Sequence, residues 1–599
     1  MEGFQDYPNV YGMLRETVER CSGDSAYRWF TASGVTASTD WTSFLGEVRQ
    51  AAKSLMALGI QKDDKVSILS YSSYRWVLSD IAVNTVGAAT VGIYHSLPAR
   101  DCLYILSHSD SVAVFVQNAE QLEKVLAVRK DLPALQTIVL MEGSAPGGGD
   151  GSVVSFEAFK AMGASVSEEE LDARIASVGP QDVAAIVYTS GTTGIPKGAM
   201  LTHDNLTFTA QSVEKSVYWK PGDEVFLFLP LAHVFARTCV YTSLLSGTAL
   251  TFCRAMDSIA EDLKAARPHW FPSVPRIYEK VYAKIIGGVE AKGGVSLKIF
   301  RWAMSVGRQV SRYRQAGREE PLLLKVFYAA ATRLVFSKIQ AALGGRVRWC
   351  ISGAAPLDPE IGRFFHAAGV LVVEGIGMTE NTSFSNLNRY DNYRFGWVGP
   401  PGPGIEQKIA DDGEILFRGR NVMKGYYKMP DETKRTLSAD GWLHSGDLGE
   451  IDDENFLRVT GRKKDIIVTS GGKNIAPSAI ELTLAQSPYI NQVFVIGDKR
   501  NYLTALVTLD PDNIAAYANA RGISFSHTEE LVGNREIVTL IEQEVADRNQ
   551  ELASFETVKK VTIVPEFTIE QGLLTPTMKL KKMMALERYR EQIDAMYAG

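Results

Sequence analysis

Short, wholly apolar runs alternate with longer helical patterns through most of this 599-residue chain. Residues 183–188 (VAAIVY) and 225–229 (VFLFL) are typical of strands that are buried on both faces. Residues 250–253 and 347–352 follow the same pattern. Helix-like segments such as residues 204–215, 258–266 and 358–368 lie between these runs. Because parallel strands need crossover connections, which are usually helices, the alternation predicts an α/β fold with mostly parallel sheets.

The chain is too long for a single hydrophobic core, so at least two domains are expected. A dense charge cluster, GRKKDIIV at residues 461–468, leads into a strand and then a flexible SGGKN turn. We therefore predict an N-terminal domain over residues 1–461, a hinge at 462–466 and a smaller α+β domain over 467–599. Residues 285–343 are helical in pattern and predict a helical insertion in the first domain.

Composition and charge exclude several classes of protein. A hydrophobic content of 45% is ordinary for a globular protein, and a net charge of −6 gives no general attraction to nucleic acid. The five cysteines lack CxxC spacing, and the acidic N-terminus does not resemble a signal peptide, so reduced thiols in the cytoplasm are expected.

The most apolar stretch, residues 321–343, is interrupted by Lys325, Arg333 and Lys338 and is therefore too charged to span a membrane. A buried amphipathic helix is the favoured interpretation, with peripheral contact at a membrane as the alternative.

A loop rich in glycine and hydroxyl groups, TSGTTGIPKG, directly follows the predicted strand at residues 183–188. A phosphate chain needs many donors at close range, and such a loop offers backbone N–H groups and hydroxyls without steric bulk. The residues that would bind ATP are Thr189, Ser190, Gly191, Thr192, Thr193, Gly194 and Lys197. A Walker loop is excluded, because Pro196 and Gly198 flank the lysine where GxxxxGK[ST] requires glycine and a hydroxyl residue.

The run YTSGTTGIPKG, residues 188–198, resembles the signature loop of the adenylate-forming superfamily. That superfamily contains acyl- and aryl-CoA synthetases, firefly luciferases and peptide-synthetase adenylation domains. Further motifs follow in the family's order over nearly the whole chain. The resemblance implies ATP and CoA as co-substrates, Mg²⁺ as cofactor, and a C-terminal domain that is mobile.

Two motifs resemble the segments beside the adenine and the α-phosphate. SGAAPL, residues 352–357, would place Gly353 and Ala354 beside the adenine. In GIGMTE, residues 375–380, the resemblance implies that Gly377 and Thr379 contact the nucleotide. It also implies that Glu380 holds Mg²⁺, with Thr192 as a second metal contact.

One residue departs from the family pattern, since Ile376 stands where a tyrosine normally packs on adenine. Aromatic stacking contributes on the order of 1 kcal/mol beyond burial. The substitution therefore predicts a higher KM for ATP, by less than about tenfold.

Two motifs near the predicted boundary resemble the ribose and hinge segments. In GWLHSGDLGEID, residues 441–452, Asp447 would accept hydrogen bonds from both ribose hydroxyls. In residues 460–475, Arg462 would contact ribose or phosphate and Lys464 would be the hinge residue. The Gly471–Gly472 turn would approach CoA when the thioester forms.

The last two motifs concern the reacting groups. LPLAHVFAR, residues 229–237, resembles the segment whose His233 and Phe235 border the acyl and CoA channel, although a lone histidine is often only a core residue. LLTPTMKLKKM, residues 573–583, resembles the segment that carries the adenylation lysine, here Lys579. The resemblance implies contact of Lys579 with the carboxylate and the α-phosphate, whereas Lys581 and Lys582 are expected to be surface charges.

Three segments of the chain resemble long-chain fatty acyl-CoA synthetases and so indicate which acid is activated. They are PSVPRIYEKVYAKI (residues 272–285), the helical insertion and the C-terminal motif. A long-chain fatty acid is therefore the expected substrate. Two alternatives stay open: a ligase that delivers the acyl group to a carrier protein, and a non-catalytic nucleotide- or lipid-binding relative. The oligomeric state is also open, a homodimer included.

Overall fold

The computed structural model describes residues 3–31, 34, 36–145, 152–189, 195–220, 222–470, 472–575 and 578–598. Several residues that the sequence assigned to ATP or CoA, namely Ser190, Gly191, Thr192, Thr193, Gly194 and Gly471, lie outside these described residues.

The strands in chain order are β1 (Ser25–Phe30), β2 (Thr36–Asp40), β3 (Lys65–Leu69), β4 (Ala89–Ile93), β5 (Ser111–Val116), β6 (Thr137–Leu140), β7 (Val153–Ser155), β8 (Val183–Thr189), β9 (Lys197–Thr202), β10 (Glu224–Leu227), β11 (Ala249–Phe252), β12 (Trp270–Ser273), β13 (Trp349–Ser352), β14 (Leu371–Ile376), β15 (Asn386–Leu387), β16 (Ile405–Ile409), β17 (Glu414–Gly419), β18 (Gly425–Tyr426), β19 (Leu443–Ile451), β20 (Leu457–Arg462), β21 (Ile467–Val468), β22 (Asn474–Ile475), β23 (Ile490–Ile496), β24 (Leu503–Leu509) and β25 (Val558–Ile563).

The helices in chain order are α1 (Val10–Cys21), α2 (Trp41–Ala57), α3 (Tyr74–Thr85), α4 (Ala99–His108), α5 (Ala119–Val128), α6 (Phe156–Met162), α7 (Glu168–Ala176), α8 (His203–Glu214), α9 (Val234–Ser246), α10 (Ile259–Ala266), α11 (Pro275–Lys292), α12 (Gly294–Gln315), α13 (Leu322–Ala331), α14 (Ser337–Ala342), α15 (Pro359–Ala367), α16 (Pro430–Thr436), α17 (Pro477–Leu484), α18 (Pro511–Arg521), α19 (Arg535–Arg548), α20 (Lys582–Arg588) and α21 (Arg590–Tyr597).

Two large, mostly parallel sheets organise the N-terminal part of the described chain. One has the order β15-β14-β13-β12-β10-β11-β1-β2, and the other has the order β18-β9-β8-β4-β3-β5-β6-β7. The inner pairs are parallel, while β2, β9, β15 and β18 add antiparallel strands near the edges. The predicted α/β fold with mostly parallel sheets is confirmed. The apolar runs that predicted it form β8, β10, β11 and β13.

A smaller antiparallel sheet, β16-β17-β19-β20, follows the two large sheets. Its core contains Ile415, Phe417, Leu443 and Leu457, and Ile376 from the end of β14 packs against it. This sheet thereby joins the adenine-side motif to the strand pair that carries Asp447 and Arg462.

The predicted helical insertion consists of α11, α12, α13 and α14, with a π-helical turn at Thr332–Phe336 between the last two. It lies between β12 and β13 and begins earlier than predicted, at Pro275. In the part of the chain that the structure describes, no helix is long and apolar enough to cross a membrane.

The C-terminal part folds around cores of its own. The sheet β23-β24-β25 has one antiparallel and one parallel pairing. Helices α17, α18 and α19 supply apolar side chains to one core, and α20 and α21 supply them to a second. This arrangement confirms the predicted α+β unit.

Candidate active site

The segment that the sequence predicts to bind phosphate lies between two paired strands. β8 and β9 are antiparallel, with Thr189 opposite Lys197 and Tyr188 opposite Gly198. The Thr189 hydroxyl donates to the Lys197 carbonyl at 3.4 Å. Only glycine fits at position 198, because a Cβ there would lie 2.7 Å from the Ile186 side chain. The hairpin thus fixes both ends of the loop whose centre lies outside the described residues.

Lys197 forms an ion pair that the sequence did not predict. Its ammonium group pairs with Glu432 at the start of α16 and lies 5.3 Å from the ring centre of Tyr426. The same lysine lowers the pKa of the Glu432 carboxyl. Lys197 therefore lies at the start of β9, directly after the loop, and Glu432 offsets its charge. Phosphate oxygens bound by the loop would compete with Glu432 for this lysine.

Glu380 is held in place by a buried hydrogen bond. It lies in a single 3-10 turn, Thr379–Asn381, where both Thr379 and Glu380 are buried. The Tyr426 hydroxyl donates to Glu380 Oε1 at 2.5 Å. Burial, and then the charge of Glu380, raise the pKa of Tyr426, which keeps this tyrosine protonated and donating. No sequence signal linked Tyr426 to Glu380, because the two are distant in the chain.

The donor set around Glu380 fits a magnesium ion shared with a nucleotide. The described residues contain no group of three or more His, Cys, Asp or Glu side chains that could hold a metal ion. Mg²⁺ is usually bound through one or two carboxylates together with substrate phosphates, so a single oriented carboxylate is sufficient. One oxygen of Glu380 is engaged by Tyr426, which leaves the other for a metal ion.

Close backbone approaches explain the glycines of the adenine-side motifs. A Cβ at position 377 would lie 1.9 Å from the carbonyl oxygen of Ser383, so the turn closes only with glycine. A Cβ at position 353 would lie 3.3 Å from the Phe235 ring. Ala354 follows with a φ of +71°, in the left-handed region. The segments at 352–357 and 229–237, predicted separately, therefore meet at Gly353 and Phe235.

Ile376 is the last residue of β14, where it pairs with Asn386, and it is half-buried against the β16–β20 sheet. Its neighbours Ile415, Phe417 and Leu443 are aliphatic or aromatic. The side chain at position 376 is aliphatic, so this position itself supplies no aromatic ring for the stacking on adenine that the family pattern implies.

Replacing Ile376 with tyrosine is expected to lower the KM for ATP by up to about tenfold, because stacking on a base is worth on the order of 1 kcal/mol. Initial-rate kinetics with ATP varied at saturating acid and CoA would measure the change. Ile376→Leu serves as the control that keeps the position aliphatic. An unchanged or higher KM in the tyrosine variant would refute the stacking explanation.

Asp447 and Arg462 face each other across β19 and β20. Arg462 Nε lies 3.2 Å from Asp447 Oδ1. Burial raises the pKa of Asp447, and the neighbouring Arg462 opposes that change. The resemblance implied ribose contact for Asp447 and ribose or phosphate contact for Arg462, and the structure places these two side chains together on one strand pair.

Lys579 from the C-terminal part of the chain reaches this same cluster. Its backbone N–H donates to the Thr575 hydroxyl at 3.1 Å, and the Thr575 N–H donates back to the Lys579 carbonyl at 2.8 Å. The surrounding protein, and then Arg462, lower the pKa of Lys579, whereas Asp447 and Glu380 act in the opposite direction. Lys579 is nevertheless exposed, so a substrate can reach it.

His233 caps α9 and is neutral. Its Nδ1 accepts from the Phe235 N–H at 3.2 Å. Burial, and then the nearby Lys579, lower the pKa of His233 to about 4.

One turn further along α9, a buried ion pair fixes this helix to α3. Arg237 donates to Asp80 at 2.6 Å, and the Tyr241 hydroxyl donates to the same carboxylate at 2.7 Å. The motif LPLAHVFAR thus contains a positioning residue, Arg237, that the sequence did not single out.

The predicted hinge residue Lys464 is exposed in a 3-10 turn, Lys463–Asp465. Gly472 lies in the turn between β21 and β22 with a φ of +74°, which favours glycine. The expectation that Lys582 is a surface charge is wrong. Lys582 is partly buried and its Nζ lies 3.0 Å from Asp465, so it ties the Lys579 segment to the turn that contains the predicted hinge residue Lys464.

Two family models match the chain. The model described as AMP-binding enzyme matches residues 14–427, and that described as AMP-binding enzyme C-terminal domain matches residues 464–599. The chain is 34% identical to "Long-chain-fatty-acid--CoA ligase FadD15" of Mycobacterium bovis, over 99% of this chain and 97% of that protein. It is also 34% identical to "Long chain acyl-CoA synthetase 6, peroxisomal" of Arabidopsis thaliana, over 99% of this chain and 84% of that protein.

Among solved structures, the anthranilate CoA ligase AuaEII in complex with anthranoyl-AMP shares the fold. Its TM-score is 0.75 at 21% sequence identity, and the match covers 99% of both chains.

Proposed function

Since this chain belongs to the family of AMP-binding enzymes, we propose that it activates a long-chain fatty acid with ATP and transfers the acyl group to CoA. The products are acyl-CoA, AMP and pyrophosphate. The observation that carries the proposal is the position of Lys579. Lys579 comes from the C-terminal unit and lies close enough to Arg462, Asp447 and Glu380 for their charges to act on its pKa, which supports a role in adenylation.

In the first step, a carboxylate oxygen of the fatty acid forms a bond to the α-phosphorus of ATP, and the bond to pyrophosphate breaks. Both reactants are anions, so the protein's main task is to neutralise and orient negative charge. Lys579 contacts the carboxylate and the α-phosphate, while Asp447 holds the ribose hydroxyls. His233 stays neutral at physiological pH and adds no further positive charge to the channel.

The magnesium ion is part of this proposal. Glu380 would hold it, oriented by Tyr426, and the ion would offset charge on the phosphates. Thr192, assigned as a second contact by the sequence, stays a proposal.

In the second step, the CoA sulfur forms a bond to the acyl carbon, AMP leaves with the oxygen that linked it, and the thiol proton passes to solvent. We propose that the C-terminal domain first rotates about Lys464, which withdraws Lys579 and brings the Gly471–Gly472 turn towards CoA. The exposed position of Lys464 is compatible with such a rotation. The pair Asp465–Lys582 would carry the Lys579 segment along with the turn.

The proposal that the acid is a long-chain fatty acid and the acceptor is CoA is based on the relatives that match this chain. Proteins named long-chain fatty acid–CoA ligases match this chain along nearly its whole length. Delivery to a carrier protein is the competing proposal, and activity with free CoA separates the two.

Formation of AMP should depend on CoA and increase from acetate through octanoate to palmitate, with benzoate a poor substrate. A coupled assay for AMP across these acids, with and without CoA, would measure it. Activity with octanoate or benzoate above that with palmitate would contradict the proposed acid. Pyrophosphate release with palmitate but no acyl-CoA product would favour the carrier-protein ligase. Tight ATP binding without pyrophosphate release for any acid would favour a non-catalytic relative.

We further propose that the reaction takes place in the cytoplasm, at the surface of a membrane. All five cysteines are free, which suits a reducing compartment. A long-chain fatty acid partitions into bilayers, so an enzyme that uses it gains from contact with the lipid surface.

A further inference from the structure

Helix α13 presents an apolar face to solvent. Leu322 is 80% exposed, Leu323 66% and Val326 58%, and Phe327 is also exposed. Leu334, in the π-helical turn after α13, extends this surface. We call these residues, Leu322, Leu323, Val326, Phe327 and Leu334, the α13 face.

The opposite side of α13 is fully used by the fold. Leu324 and Ala331 are buried, and Tyr328 stacks beneath Arg314 of α12 with the guanidinium carbon 5.1 Å from the ring centre. The helix is thus already anchored to the protein. Its exposed leucines are not needed for that anchoring, and clusters of this kind mark sites of protein or membrane contact.

The charges along this segment all have one sign. Residues 321–343 contain Lys325, Arg333 and Lys338 but no acidic residue. All three cations are exposed. Arg333 lies two helical turns after Val326 and so follows the same side of the helix. Lys325 lies 3.7 Å from the exposed Glu319, and its charge also helps to lower the pKa of Glu320, whereas Arg333 and Lys338 form no salt bridge within the part of the chain that the structure describes.

The charge pattern indicates whether the α13 face contacts a second copy of the chain or a lipid surface. A twofold contact through the α13 face would place this cationic segment against itself, and like charges in apposition are unfavourable. A bilayer with anionic headgroups satisfies both properties. Leucine and phenylalanine enter the acyl boundary, while long basic side chains extend to the phosphates.

We propose that the α13 face docks the enzyme on the surface of an anionic bilayer. The docking itself does not require the acid-activating reaction. Its purpose, capture of a fatty acid that is dissolved in the membrane, rests on the proposed function.

The test is co-sedimentation of the full chain with vesicles of phosphatidylcholine alone and with added phosphatidylglycerol, without ATP or CoA. Wild type should bind the anionic vesicles and lose binding as salt is raised. The variant Leu323→Gln/Val326→Gln should bind at least ~10-fold more weakly, because burying each apolar side chain is worth more than 1 kcal/mol. Arg333→Glu/Lys338→Glu should also weaken binding, but only to the anionic vesicles.

A matched control replaces two exposed apolar residues elsewhere, Leu126→Gln/Met256→Gln, and should bind like wild type. All variants should keep wild-type activity with fatty acid supplied in solution, which separates docking from catalysis. Equal binding by wild type and Leu323→Gln/Val326→Gln would overturn the proposal. So would a wild-type dimer in solution that this variant makes monomeric, because the face would then serve a second copy.

Discussion

Replacing Lys579 with alanine is expected to slow acyl-adenylate formation by about 10²–10³-fold, the usual cost of removing one group that stabilises charge in a transition state. Lys579 is the cation that the C-terminal unit contributes to the cluster of Asp447, Arg462 and Glu380. Transfer of the acyl group from pre-made palmitoyl-adenylate to CoA should proceed near the wild-type rate, because the proposed domain rotation withdraws Lys579 from the site in that step.

The two half-reactions are measured separately, the first as pyrophosphate release in single turnover and the second as palmitoyl-CoA formation from added adenylate. Lys581→Ala is the matched control, since it removes the same charge close by in the chain. It should leave both rates unchanged. Equal losses in both half-reactions for Lys579→Ala would show that the lysine supports the fold or substrate binding in general, and not adenylation alone.

Replacing Glu380 with glutamine is expected to slow adenylate formation by about 10²-fold or more, and to raise the Mg²⁺ concentration needed for half-maximal rate. The amide still accepts the hydrogen bond from Tyr426, so the local fold is kept while the negative charge is lost. The rate of pyrophosphate release as a function of Mg²⁺ concentration measures both effects.

Tyr426→Phe is the companion variant, because it keeps the Glu380 charge and removes only the hydrogen bond that orients it. Its expected loss is smaller, about tenfold, which is typical for a group that orients a metal ligand. If Glu380→Gln kept the wild-type dependence on Mg²⁺, the carboxylate would not be the metal ligand.

The sequence predicted the α/β layers because β8, β10, β11 and β13 are short, wholly apolar runs. A strand that is buried on both faces carries apolar residues at nearly every position. It did not distinguish the antiparallel sheet β16-β17-β19-β20, whose strands mix buried and exposed residues. The start of the helical insertion was placed too late. Helix α11 begins at Pro275, inside the segment 272–285, which was assigned to a motif and not to a helix.

Short local motifs indicated candidate site residues, whereas the partners of those residues left no signal in the sequence. Asp447, Arg462 and Lys579 come together as the motifs implied. The contacts of Tyr426 with Glu380, Glu432 with Lys197 and Asp465 with Lys582 join residues that are far apart in the chain. Such pairs depend on tertiary packing and leave no local pattern, which is why Lys582 was wrongly assigned to the surface.

The most direct test of the account follows the oxygen atoms of the fatty acid. Palmitate labelled with oxygen-18 in its carboxylate is incubated with the enzyme, ATP and CoA, and the AMP is analysed by mass spectrometry. If the carboxylate attacks the α-phosphorus, each AMP formed carries one labelled oxygen on its phosphate. Unlabelled AMP, or label in inorganic phosphate, would contradict an acyl-adenylate intermediate.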